Sequence, residues 1–270
     1  MDESFAVPQY ETSLESALEY CALQVRTFDP DRYLITIAGP KKFRAALFGL
    51  YAFNLEISKT RETVSEPMLG RIRLQWWREA IEGIYQGTPR NHEVILALAF
   101  VIESHSLSRQ HFEEMIDGRE FDLEDREPED MLELVSYAQQ TSGSLLQLTA
   151  EVLTADKAAA DGIGVAWALV GLMKVIQLHR SQQRCYLPGI PVTQIGSDKT
   201  VTVFADVLEV ATQHMDQQSP KLNGAMGLYQ WIARHDLEQL IKIKASPFES
   251  SPTNKAWRRC RIVIASFFCS

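Results

Sequence analysis

Residues 158–180 read AAADGIGVAWALVGLMKVIQLHR, a run without proline in which Gly164, Ala168, Gly171, Val175 and His179 recur at i, i+4, i+7, i+11 and i+15. That spacing puts the five on one face of a helix. Glycine inside a helix costs about 1 kcal/mol against alanine. A stripe of small residues therefore implies that something comes close to this backbone. Spacing alone leaves two readings open, a second helix packed tightly against the stripe or the wall of a cavity.

The same pattern extends outward. No proline falls between Pro40 and Pro67, between Pro89 and Pro128, or in the 59 residues from Glu129 to Leu187. Interior proline breaks helices, so these gaps are where long helices run. Leu134, Ala138, Leu145, Leu148 and Val152 keep near-helical spacing, with Glu129 and Asp130 as acids for the first turn. Leu69, Ile72, Trp76, Ala80 and Ile84 do the same, and Gly87-Thr88-Pro89 closes that helix. The best strand signal, Val201 to Phe204, opens a helix after Asp198 equally well. With no internal repeat and no low-complexity linker, one all-α domain over residues 1–270 is expected. Residues 113–133 hold eleven acids and two arginines, which reads as a solvated helix-loop-helix face rather than a metal site.

Composition excludes several classes. The 27 basic and 35 acidic residues give a net charge of −8, the wrong sign for a general nucleic-acid binder. No apolar run reaches the roughly 18 residues of a membrane-spanning helix. The acidic start, MDESFAVPQYETSLE, resembles neither a signal peptide nor a basic presequence, so the bacterial cytoplasm, or an organelle after processing, is the expected location. Cys21, Cys185, Cys260 and Cys269 are scattered without a CxxC pair, as expected of reduced thiols. From Lys255 to Ser270 there are four bases and no acid, mixed with Trp257, Phe267 and Phe268. Such a segment suits a peripheral contact with an anionic membrane surface, at ~1 kcal/mol per charge, or a final helix packed on the core.

Two segments resemble a known family. Arg44-Ala45-Ala46-Leu47-Phe48-Gly49-Leu50-Tyr51-Ala52-Phe53 is similar to the opening of the first signature of squalene and phytoene synthases, and Tyr186-Leu187-Pro188 to the close of their second. Gly87-Thr88-Pro89, His92, Ala97-Leu98, the turn from Gly118 to Leu123 and Ser142-Gly143-Ser144 follow in the family's order, over roughly residues 10–240. The resemblance implies the class I isoprenoid (terpenoid) synthase fold, ten or more antiparallel helices around a central cavity. Residues 44–62 and 160–180 should then face each other across its centre.

In that family, two aspartate-rich motifs hold Mg²⁺ against the diphosphate of a prenyl substrate, because a hard cation needs carboxylate oxygens. At the matching positions this chain has Ser58 and Lys59, with Glu62 keeping the last carboxylate of the first motif. The second motif falls on Val175, Leu178 and His179, preceded by Lys174 where an arginine is usual. The resemblance therefore implies a degenerate site with no catalytic residue and no metal, in which Ser58, Glu62, Val175 and His179 share one cavity or its remnant. Arg44, Tyr51, Lys59, Arg61, Arg71, Arg73 and Arg180 are candidate contacts to a ligand or diphosphate, each also readable as a solvated or salt-bridged side chain.

Ala52 to Glu56, Thr63 to Glu66, Gly70 to Trp77 and His179-Arg180-Ser181 are similar to a degenerate branch of this family, that of the mitochondrial complex I assembly factor 6 and its bacterial relatives. That likeness implies a non-catalytic protein helping to build NADH:ubiquinone oxidoreductase. Its partners would be complex I subunits or assembly intermediates, at the inner membrane's cytoplasmic or matrix side. Two alternatives remain. One is a prenyl-diphosphate transferase with atypical motifs, which alone would need Mg²⁺; the other is a carrier of an isoprenoid, quinone or other lipid. Trp76 and Trp77 are expected as core and partner-facing aromatics, and His179 as a packed histidine rather than a general base.

Overall fold

A computed structural model describes residues 13–217, 222 and 224–243; the membrane-contact expectation for residues 255–270, and Cys260 and Cys269, lie outside them. Among the described residues there are thirteen α-helices and no strand. In chain order they are α1 (Leu14–Phe28), α2 (Pro30–Ala38), α3 (Arg44–Ser58), α4 (Thr60–Thr63), α5 (Pro67–Tyr85), α6 (Glu93–His105) and α7 (Arg109–Gly118). There follow α8 (Met131–Ala138), α9 (Ser144–Leu153), α10 (Lys157–Lys174), α11 (Ile176–Ser181), α12 (Asp198–Gln217) and α13 (Gly224–Ile243). Val201 to Phe204 lie inside α12, so the helical reading of that segment holds.

The boundaries follow local chemistry. Pro30 and Pro67 sit in the first turns of α2 and α5, where a missing N–H costs nothing. Asp29 ends α1 and begins α2, its carboxylate accepting from the Arg32 N–H. Asp130 and Asp156 cap α8 and α10 in the same way. Helix α3 is buried on nearly every face from Ala46 to Leu55 because α1, α2, α6 and α9 pack around it. An all-round apolar helix is what such a central position requires. Helix α10 is the second axis, flanked by α8, α9, α12 and α13.

The small-residue stripe divides between its two readings. A Cβ on Gly164 would lie 2.6 Å from the Ser142 carbonyl oxygen and 2.7 Å from Gly143 Cα. Tight packing against the π turn Gln139–Gly143, between α8 and α9, therefore explains that glycine. A Cβ on Gly171 would meet nothing within 4 Å. The stripe is also not continuous. The Val175 amide bonds back to Leu172 in a tighter turn, at φ −110° and ψ 18°, so α10 stops at Lys174 and α11 starts afresh at Ile176.

The acidic run lies at the surface, as expected, with several of its acids in ion pairs. Asp117 and Glu120 bond Arg78, Asp125 bonds Arg61 and Glu133 bonds Arg126. Asp122 is buried, its side chain 8% exposed. Asp117 and Asp125 stay 57 and 51% exposed in their pairs with α5 and α4, so the face is solvated and Asp122 is the acid that turns inward.

Candidate functional site

Four helices deliver side chains to the middle of the bundle. Tyr51 comes from α3, Trp167 from α10, Tyr229 from α13 and Arg32 from α2. The Tyr229 ring lies 6.5 Å from Tyr51 and 5.0 Å from Trp167, edge-on to both. The Arg32 guanidinium sits 5.8 Å above the Tyr51 ring and 5.3 Å above Trp167, within cation–π range. Residues 44–62 and 160–180 thus do face the same centre, joined there by an arginine and three aromatics. Burial opposes the Arg32 charge, and Asp29, 2.6 Å away, more than offsets it. Burial pushes the Tyr51 and Tyr229 hydroxyls up; Tyr51 Oη lies 3.4 Å from Thr149 Oγ1.

Around α3 and α5 the expected contacts have occupations of their own. Arg44 donates to the carbonyls of Ile37 and Gly39, closing the C-terminus of α2. The half-buried Ser58 hydroxyl donates to the Leu55 carbonyl at 3.1 Å. Lys59 Nζ lies 3.5 Å from the centre of the Phe28 ring. Arg61 grips Asp125 at 2.7 and 3.0 Å, and Arg73 bonds Glu56 at 2.7 Å. Arg71 reaches Glu120 only at 3.8 Å, and Glu62 is exposed. At the other motif Lys174 pairs with Asp236 of α13 at 2.6 Å. Val175 is 39% and Leu178 54% exposed, Arg180 is exposed, and the His179 ring packs 4.7 Å from that of Tyr186. No hydrogen bond links Ser58, Glu62 and His179 to one another, Glu62 and Val175 are exposed, and the helix breaks at Val175, inside the second motif.

A network that composition hid connects the two ends. Asp122 Oδ1 accepts from Tyr186 at 2.7 Å and from Tyr137 at 3.0 Å, and its Oδ2 accepts from Arg119 at 3.2 Å. Arg119 also donates to Tyr137 at 2.9 Å. The 119–125 turn thus holds Tyr186 through Asp122 and α4 through Asp125. Trp77, buried against Phe53 and His92, is core, while Trp76 is half-buried under Arg90.

His179 gives the network a pH signature. Burial pushes its imidazole down to about 4, with repulsion from Arg184 adding and attraction to Asp122 opposing. The unfolded chain, near 6.5, then binds a proton that the folded chain refuses. Stability is full above about pH 6.5 and falls as pH drops towards 4, by at most about 3 kcal/mol. Urea titrations of wild type and His179→Gln should diverge only in that window, the variant having the flatter profile. Parallel profiles would place the imidazole in solvent.

Comparisons with known proteins agree with this architecture. The squalene/phytoene synthase family profile matches residues 25–220. The chain is 34% identical over 174 residues to the "NADH dehydrogenase (ubiquinone) complex I, assembly factor 6" of Bos taurus, covering 63% of this chain and 52% of that protein. The protein of the same name from Homo sapiens is 33% identical over the same length and shares. The chain therefore spans about half the length of the curated relatives it matches. In three dimensions it is similar to a dehydrosqualene synthase solved with a ligand, at TM-score 0.80 over 94% of this chain and 96% of that one, with 16% identity. That identity speaks for the fold alone, the isoprenoid synthase fold expected from the resemblance. Among the described residues no helix is long and apolar enough to cross a membrane. With the family profile spanning residues 25–220 and the fold matching, this chain belongs to the squalene/phytoene synthase family.

Proposed function

We propose that this protein supports the assembly of respiratory complex I and does not itself transfer prenyl groups. The observation that carries the second half is the donor set at the two motif positions. A hydroxyl bonded within its own helix, an ammonium over a phenyl ring, two exposed aliphatic side chains and an imidazole against a tyrosine offer magnesium no carboxylate. Glu62 contributes a single exposed one. These residues do not fit a magnesium–diphosphate site. A metal-free diphosphate clamp is no better supported, since Lys59, Arg61 and Lys174 go to three separate partners, Phe28, Asp125 and Asp236. An isoprenoid or quinone tail threaded through the centre would have to displace Arg32, Trp167 and Tyr229.

The first half rests on the relatives named as complex I assembly factors. A surface suited to a protein partner supports it: Met68, Leu69 and Ile72 of α5, 59, 46 and 59% exposed, lie on neighbouring turns. We place the protein at the face of the inner membrane where the peripheral arm of complex I is built. The enzymatic half is tested with pure protein, Mg²⁺ and farnesyl or geranylgeranyl diphosphate. Pyrophosphate release should not exceed the protein-free rate; sustained release with a coupled prenyl product would overturn the reading.

A further inference from the structure

Helix α5 carries an apolar stripe whose two halves differ in what covers them. Leu69, Ile72, Trp76, Ala80 and Ile84 recur at helical spacing, and the later half, Ala80 and Ile84, is core. The earlier half is not. Leu69 and Ile72 are 46 and 59% exposed, Met68 beside them is 59% exposed, and Trp76 is half-buried. On the opposite side of the same turns Gly70 and Leu74 are buried, and a Cβ on Gly70 would meet Leu123 at 2.5 Å. The fold thus fills one side of residues 68–74 and leaves the other apolar and bare among the described residues. Neighbouring exposed apolar side chains of this size mark a surface that another protein covers.

The charges beside the stripe fit a second copy of the same helix. Glu66, at the start of α5, is exposed and makes no ion pair among the described residues. Arg73 bonds Glu56 at 2.7 Å yet keeps 36% of its side chain exposed. Two turns apart, these opposite charges lie on one flank of the helix, and an antiparallel partner brings that flank against its own counterpart. With Met68 set on Ile72 of the second copy, Ser65 faces Gln75 and Glu66 comes beside Arg73, each contact made twice. A parallel pair would bring Arg73 towards Arg71 of the second copy, like charge against like. We propose that two copies of this chain pair through antiparallel α5 helices, each covering Met68, Leu69 and Ile72 of the other. A contact over residues 65–76 is about 17 Å long at 1.5 Å per residue and buries less than the ~800 Å² per partner of a standard interface. The pair is therefore reversible. Pairing needs only this chain, so it goes beyond the complex I reading and is tested without it.

Sedimentation equilibrium of the pure full chain from about 1 to about 100 µM tests the pairing. The apparent mass should rise from 30.6 kDa towards twice that value. Ile72→Asp, at a position exposed enough to leave folding intact, should weaken association at least about tenfold. Leu132→Asp, at an exposed leucine of α8, should leave it unchanged. Orientation is read from two exposed positions, with Cys260→Ser and Cys269→Ser in the background and Cys21 and Cys185 buried. On mild oxidation a mixture of Ser65→Cys and Gln75→Cys chains should cross-link about tenfold faster than either variant alone, because the antiparallel pair sets residue 65 against residue 75. A mass of 30.6 kDa across the whole range would overturn the proposal and leave the α5 face to a different protein. Association that survives Ile72→Asp, or cross-linking that is fastest within either single variant, would overturn it as well.

Discussion

Asp29→Ala should unfold the protein more readily than any substitution at the motif positions, by about 3–5 kcal/mol. The reason lies in what is left behind. Arg32 has a side chain only 8% exposed, and its Nε has no protein partner. Its charge is held by Asp29 at 2.6 Å and by the faces of Tyr51 and Trp167. Removing the carboxylate strands a guanidinium in the middle of the bundle and also removes the α2 cap, itself worth about 1 kcal/mol. Arg32→Met should cost less, because it removes the charge together with its need for a partner. Asp29→Ala combined with Arg32→Met should recover more than half of the loss. These changes appear in urea midpoints and in a melting temperature lowered by on the order of 10 °C for the single variant. A cost below about 1 kcal/mol for Asp29→Ala would mean that water reaches Arg32 and that the centre is open.

Asp122→Ala should be comparably damaging, at about 3–5 kcal/mol. It leaves Arg119, 14% exposed, without its carboxylate, and deprives the Tyr137 and Tyr186 hydroxyls of their shared acceptor. Burial is the chief cause pushing both hydroxyls up, and it persists in the variant, so neither ionises to compensate. Tyr186→Phe removes one donor and leaves the ion pair intact, at about 1 kcal/mol. A graded series, Tyr186→Phe mild and Asp122→Ala severe, would establish the carboxylate as the hub tying the 119–125 turn to the Tyr186-Leu187-Pro188 segment. Equal small effects would reduce it to a surface acid.

Both hubs show where sequence reasoning reaches and where it stops. Helical spacing and proline gaps lead to the right class because helices are local, and Pro30 and Pro67 fall where first-turn prolines belong. Gly164 is legible as a close approach, since a Cβ there would lie 2.6–2.7 Å from the backbone of Ser142 and Gly143. Val175 is not legible: nothing in its chemistry separates a β-branched residue carried through a helix from one that ends it. The Arg32 cluster draws on residues 29, 51, 167 and 229, whose meeting depends on four helices packing and leaves no local pattern. Asp29 shows its role only as the cap of α2 in the fold, and Asp122 stands among ten other acids that dilute any single one. For the basic candidates the sequence leaves two readings, a ligand contact or a salt-bridged side chain. The fold gives Arg44, Arg61 and Arg73 an internal acceptor each, which composition and spacing alone do not reveal.

The central claim joins a synthase fold without a magnesium-binding donor set to complex I. Deleting the gene in its source organism and measuring NADH:ubiquinone oxidoreductase activity, with assembled complex I on native gels, tests that claim most directly. The account predicts that activity and assembled mass fall together and return with the unaltered gene, while squalene, hopanoids and carotenoids stay unchanged. Normal complex I in the deletion strain, or the loss of an isoprenoid product, would contradict it.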